Sequence, residues 1–141
     1  MEKEFVPYEI ALRMKALGFN EPCLAWFSDR NIRVVGTNGC TVSHLPFNSS
    51  FKDDDEFVSA PTFSQAFRWF REKYNLYTEI HKKFDGIGVS IILSEYRYDH
   101  RQDKEVEYHI PKYFGNIHKS YEEAELACLK KLCEIVENKS E

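Results

Sequence analysis

The sequence predicts an α+β fold in which an antiparallel meander sheet carries two capped helices on one face, preceded by an N-terminal helix and a β-hairpin. The expected order is α-β-β-α-β-β-β-α. Two segments open with helix-capping boxes, and several others have the composition or alternation of strands. The aromatic content of 11 Phe, 8 Tyr and 2 Trp supplies a large core. A chain of 141 residues has the size of one domain, so residues 1–141 are predicted to form a single domain.

The first helix is predicted over residues 7–17. Pro7 stands where the first helical turn tolerates proline, apolar residues recur at helical spacing, and Gly18 follows as a stop signal. The next two apolar segments, 23–27 and 32–35, flank a short polar connection, so they are predicted to form a β-hairpin.

The other two helices are predicted from their first turns. Thr62 and Gln65 form a capping box in which the threonine hydroxyl accepts from the Gln65 amide while the Gln65 side chain reaches back. Ser120 and Glu123 form a second box, and acidic residues there suit the positive end of the helix dipole. An apolar stripe follows each box, which predicts that each helix buries one face.

Three meander strands are predicted between these helices, over 76–84, 87–98 and 105–110. Both faces of the middle strand are apolar; its two sets of apolar side chains are Val89, Ile91 and Leu93, and Ile92, Tyr96 and Tyr98. Two helices on one side shield only one face of a sheet. The second face therefore needs a cover, either the first helix with its hairpin or a second copy of the chain in a homodimer.

Residues 37–61 interrupt the pattern with a long segment that carries scattered Phe residues and an acidic run. Loops of this length are uncommon inside a compact domain. We expect a surface excursion pinned by its Phe side chains, with a binding loop or a hidden extra strand as the alternative.

Charge and composition restrict the setting in which the protein acts. Lys and Arg total 19 against 23 for Asp and Glu, a net charge of −4, so no overall attraction to nucleic acid or to an anionic membrane is expected. The N-terminus has no secretory pattern, and no apolar run is long enough for a membrane span. We expect a cytoplasmic protein whose four cysteines are free thiols, mostly buried.

No catalytic, cofactor or metal site is predicted. The five histidines are scattered without the spacing that pairs catalytic groups. Cys40 and His44 are two possible zinc ligands without a second pair, and the acidic run 53–56 lacks calcium-loop spacing. The chain is therefore expected not to be an enzyme, although an enzyme of unrecognised type remains an alternative.

Macromolecular binding is the predicted activity, with a protein partner favoured. The order of elements over 62–137 also matches the plan of a double-stranded-RNA-binding domain, which keeps nucleic-acid binding as the alternative. Residues 68–83 carry five basic groups against two acidic ones, but the acidic first turn of the last helix would repel phosphate. The candidate binding residues are the basic Arg68, Arg71, Lys82 and Lys83 and the aromatic Tyr96 and Tyr98.

Four segments carry a resemblance to known proteins: FVPYE at 5–9, EPC at 21–23, QAFRWFREKY at 65–74 and YEEAELACLKKL at 121–132. In these segments the chain resembles a group of small uncharacterised proteins that recur in prophages and mobile elements of gut bacteria. The resemblance implies a phage-associated accessory protein. The group has no assigned activity, so the resemblance implies no catalytic residue.

Overall fold

The computed structural model describes residues 2–36, 48 and 57–139. The fold is α+β as predicted, with one strand more than expected. After a short 3-10 turn at Glu2–Glu4, the elements are α1 (Tyr8–Ala16), β1 (Ala25–Ser28), β2 (Asn31–Val34), β3 (Phe57–Ala60), α2 (Phe63–Tyr74), β4 (Leu76–Lys83), β5 (Gly86–Asp99), β6 (Lys104–Phe114) and α3 (Tyr121–Lys139).

The chain divides into two compact units. The first comprises Met1–Ala66 with Val136–Glu141, and the second comprises Phe67–Ile135. Each unit contains one three-stranded antiparallel sheet, ordered β2-β1-β3 in the first and β4-β5-β6 in the second.

The predicted hairpin forms the first two strands of the first sheet. Its turn residues Asp29 and Arg30 both have positive φ, 50° and 64°, which is the geometry of the type I′ turns that suit tight hairpins. β3 pairs with the other side of β1. The hidden-strand alternative is therefore correct for residues 57–60, and the surface excursion is wrong there; residues 37–47 and 49–56 lie outside the described part of the chain.

The first helix ends as its sequence predicts. Gly18 has φ 97°, its N–H donates to the Lys15 carbonyl, and the N–H of Phe19 donates to the Met14 carbonyl, which together make a Schellman motif. Met14 and Phe19 are both buried, so the motif also closes an apolar contact at the helix end. The helix starts one residue later than predicted, with Pro7 as its N-cap.

Only one of the two hydrogen bonds predicted for the capping box of α2 forms. The Thr62 hydroxyl accepts a hydrogen bond from the Gln65 N–H at 3.1 Å. The Gln65 side chain does not reach back; its Nε2 donates to the Pro22 carbonyl at 3.0 Å, and its Oε1 accepts from the Cys23 thiol at 3.7 Å. A tertiary contact has thus replaced the local one.

In the second unit, one face of the β4-β5-β6 sheet is buried. Leu76, Ile91 and Leu93 on this face are buried. Tyr113 pairs with Ile91, so it shares the face, and the Lys131 ammonium of α3 lies 5.2 Å from the centre of its ring. This cation–π contact places α3 on the buried face, as expected for a helix covering one side of a meander.

The cysteines behave as predicted where they are described. Cys23, Cys128 and Cys133 are free and buried, and Cys40 lies outside the described residues. No helix within residues 2–36 and 57–139 has the length and apolar character needed to cross a bilayer.

Candidate binding surface

The second face of the β4-β5-β6 sheet carries a row of large side chains. In an antiparallel sheet, paired residues point to the same side and successive residues to opposite sides. Tyr77 pairs with Ile92 and therefore shares its side of the sheet. Tyr96 and Tyr98 lie at even-numbered positions of β5, as Ile92 does, and Phe114 pairs with Ser90, which is another even-numbered position. We give the name aromatic face to five of these residues, Tyr77, Ile92, Tyr96, Tyr98 and Phe114.

The aromatic face is open to solvent. Tyr96 is 67% exposed and Phe114 68% exposed, and the Tyr77 and Tyr98 rings are also exposed. The cover predicted from within the chain is therefore wrong for Tyr96 and Tyr98 among the described residues, and cover by a second copy of the chain stays a prediction. The three strands span about 10 Å in width, and the nine residues from 90 to 98 span about 26 Å in length, so the surface is an elongated platform rather than a cleft.

The part of the platform around Tyr96 and Tyr98 is a two-stranded hairpin, formed by residues 94–109 of β5 and β6. The Tyr98 hydroxyl donates to the Asp103 carboxylate, and the Tyr98 ring packs edge-on against His100 with 4.8 Å between ring centres. These two contacts restrain the Tyr98 ring.

The opposite face of the same hairpin is organised around Arg97. Its guanidinium donates to the Glu95 carboxylate at 2.6 Å and lies 5.7 Å from the centre of the Tyr108 ring. Tyr96 and Arg97 are successive residues of β5, so the Tyr96 ring projects from the side opposite to these contacts.

Three side chains of types that occur in catalytic sites lie beside Tyr96, those of Ser94, Glu107 and His109. The Ser94 hydroxyl donates to the Glu107 carboxylate, and His109 Nε2 lies 3.8 Å from the second carboxylate oxygen. A serine nucleophile needs its hydroxyl on a base and open to substrate, whereas Ser94 is 2% exposed and bonds the carboxylate. The group therefore cross-links β5 and β6, and its geometry does not support catalysis.

The structure does not gather the four predicted basic residues into one patch. Lys82 and Lys83 are exposed but follow one another in β4, so their side chains leave opposite faces of the sheet. Arg68 and Arg71 are exposed on α2, one turn apart. Only Lys83 shares the side of the sheet that holds Tyr96 and Tyr98.

Tyr77 and Phe114 are members of the aromatic face that the sequence did not reveal. Each lies near the end of a strand whose pattern was readable, but the predicted last strand stopped at residue 110, four residues short of Phe114. A β-bulge opposite Ile91 and Ile92 shifts the parity of β6 there. No alternation in the sequence signals that shift.

The described residues contain no group of three or more His, Cys, Asp or Glu side chains placed to hold a metal ion. The Cys40 and His44 pair and the acidic run 53–56 lie outside those residues. Comparison with known proteins finds no significant match to a family model, to a curated protein or to a solved structure.

Proposed function

We propose that this protein binds a protein partner through the aromatic face, as a phage-associated accessory protein without enzymatic activity. The observation that carries the proposal is the exposure of four rings, those of Tyr77, Tyr96, Tyr98 and Phe114, on one side of one sheet. The resemblance to prophage proteins supplies the biological setting and no chemistry.

Exposed aromatic rings that lie together are unfavourable in water, and an interface that covers them gains free energy. Large exposed apolar patches mark interaction sites on soluble proteins. Tyr combines a rigid apolar ring with a hydroxyl that bonds at the interface rim, so it is enriched among residues that dominate binding energy. The platform offers these rings to an interface of ordinary size, which buries about 800 Å² on each partner.

Nucleic-acid binding remains the second candidate because the order α2-β4-β5-β6-α3 matches the double-stranded-RNA-binding plan. Three observations oppose it. A carboxylate already lies at the N-terminus of α3, since Glu123 accepts a hydrogen bond from the Lys119 N–H at 3.3 Å. Lys82 and Lys83 point to opposite faces. Residues 94–109 carry five acidic groups against three basic ones, so the hairpin repels phosphate at neutral pH.

The test uses a displayed library of random peptides of about ten residues, long enough to extend along the platform. Peptides selected on the wild-type chain are titrated by fluorescence anisotropy against Tyr96→Ser, Tyr98→Ser and the control Tyr121→Ser. Tyr121 is exposed to a similar degree as Tyr98 but begins α3 and lies off the sheet. We expect each platform variant to weaken binding about tenfold, which is about 1.4 kcal/mol, and the control to bind as wild type.

Two outcomes would overturn the proposal. One is that the selection yields only peptides whose affinity is the same for Tyr96→Ser and for wild type. The other is that duplex RNA gives a gel shift at about 50 mM salt that falls steeply with added salt and is unchanged by Tyr96→Ser. Light scattering of the chain alone identifies the partner as a second copy if a dimer forms and Tyr96→Ser abolishes it.

A further inference from the structure

The hairpin of residues 94–109 has an empty strand position beside it. β4 pairs with β5 only as far as Leu76 opposite Leu93, and the Asn75 carbonyl then accepts from the Ser94 N–H at 3.2 Å. β5 continues to Asp99, paired with β6 on its other side. Within residues 2–36 and 57–139, no strand lies beside β5 beyond that last bond, so an open edge about 17 Å long extends over residues 95–99.

The backbone groups of Tyr96 and Tyr98 point toward this open edge. Successive residues of a strand direct their N–H and C=O groups to alternate sides. Ser94 directs its N–H to the β4 side, whereas Ile87 exchanges both hydrogen bonds with His118 on the β6 side. Even-numbered residues of β5 therefore face the β4 side, and no backbone partner for Tyr96 or Tyr98 exists among the described residues.

The outer edge of the same sheet is protected, in contrast to this one. β6 carries Pro111, which has no N–H to offer, and a β-bulge beside it. Neither feature occurs over residues 95–99. On this edge the exposed Tyr96 and Tyr98 rings flank the free backbone groups on one face, and Arg97 lies on the other.

Building on the proposed function, we propose that the partner contributes an extended segment that adds as a strand beside residues 95–99, antiparallel to β5 and continuing the line of β4. Main-chain hydrogen bonds to Tyr96 and Tyr98 give affinity, and alternate side chains of the segment pack beside the two rings. The segment has apolar residues at alternate positions. It carries net positive charge, because the hairpin has five acidic groups, Glu95, Asp99, Asp103, Glu105 and Glu107, against the three basic groups Arg97, Arg101 and Lys104.

The decisive experiment is an N-methyl scan of a selected peptide, in which each backbone N–H is replaced in turn by N–CH₃. In strand addition only every second N–H of the peptide points to β5. We expect a period of two, with methylation at one parity weakening binding about fivefold or more and at the other parity changing it less than about twofold. The folded chain is unchanged throughout, so misfolding does not affect the comparison.

Amide hydrogen exchange supplies a second measurement. In the free chain the Tyr96 and Tyr98 amides should exchange faster than the Arg97 amide, which faces β6, and peptide binding should slow both tyrosine amides. A flat N-methyl scan together with unprotected Tyr96 and Tyr98 amides overturns strand addition. If binding in that case still requires the Tyr96 ring, docking on the aromatic face stands; if binding ignores the ring, the proposed function itself falls. A dimer that stacks its sheet faces and leaves these amides unprotected also overturns strand addition.

Discussion

Replacing Asn48 by alanine should destabilise the first unit. Asn48 is 4% exposed, its Nδ2 donates to the Phe19 carbonyl at 2.8 Å, and its Oδ1 accepts from the Ser59 N–H at 2.8 Å. The side chain thus joins the residue that closes α1 to the outer edge of β3. In Asn48→Ala the Ser59 N–H loses its acceptor in a buried site, and the side-chain bond to the Phe19 carbonyl is lost as well.

The magnitude follows from the Ser59 N–H. A buried donor left without a partner costs about 1–3 kcal/mol, so Asn48→Ala should lower the free energy of unfolding by at least about 1–3 kcal/mol. That is a large share of the about 5–15 kcal/mol typical of a folded domain. Urea unfolding followed by circular dichroism measures it, with an unchanged m-value as the sign that the unfolded state is unaltered.

The matched control is Asn31→Ala. Asn31 also donates from Nδ2 to a backbone carbonyl, that of Asp29 at 3.2 Å, but it is exposed at the start of β2. Water replaces that bond, so the control should lose less than about 1 kcal/mol. Equal losses in Asn48→Ala and Asn31→Ala would refute the reasoning, because burial of the Ser59 N–H would then carry no penalty.

Two further predictions concern stability, and those for the Tyr96 ring and the N-methylated peptides are given above. Gly86→Ala should cost at least about 2 kcal/mol in urea unfolding, because φ is 152° and a Cβ would lie 2.7 Å from the His118 backbone oxygen. Gly36→Ala, with φ 84° and no atom of a described residue other than its chain neighbours within 4 Å of the added Cβ, should lose about 1–2 kcal/mol of stability from backbone strain alone. Burial, assisted by nearby glutamates, raises the pKa of Cys23 and of Cys128 from 9.0 to about 12. The folded chain then holds two protons that the unfolded chain releases above pH 9.0, so the stability these thiols supply is complete below that pH. It is lost toward about pH 12, at up to about 1.4 kcal/mol per thiol per pH unit. The double variant Cys23→Ala, Cys128→Ala should lose stability less steeply than wild type as the pH rises above 9.0. Identical slopes of the free energy of unfolding against pH would contradict the assignment.

The sequence predictions are correct where the interacting residues are close together in the chain and wrong where they are far apart. The Thr62 hydroxyl bond to the Gln65 N–H was predicted correctly because both partners lie within one helical turn. The same holds for the Gly18 stop, where backbone conformation decides the helix end. The Gln65 side chain was predicted wrongly because its partner, the Pro22 carbonyl, lies 43 residues away in the chain.

β3 shows why a strand can remain hidden. Its residues, Phe57–Ala60, are a short segment in which three of four positions are buried, so neither alternation nor length distinguishes it from a loop. Its partner β1 and the Asn48 side chain at its outer edge define it as a strand. Both are tertiary partners, which propensity does not reveal.

For the candidate surface, the residue types in the sequence established that the middle meander strand is apolar on both sides and that Tyr96 and Tyr98 share one side. Alternation along one strand is a local property, so it could be read directly. The structure alone decided that Leu76, the first residue of β4, lies opposite Leu93, which leaves the edge beside those tyrosines uncovered by β4, and that a bulge brings Phe114 onto their face. Strand register depends on pairing between distant segments and on the packing beneath them, and these energies are absent from any single stretch of sequence.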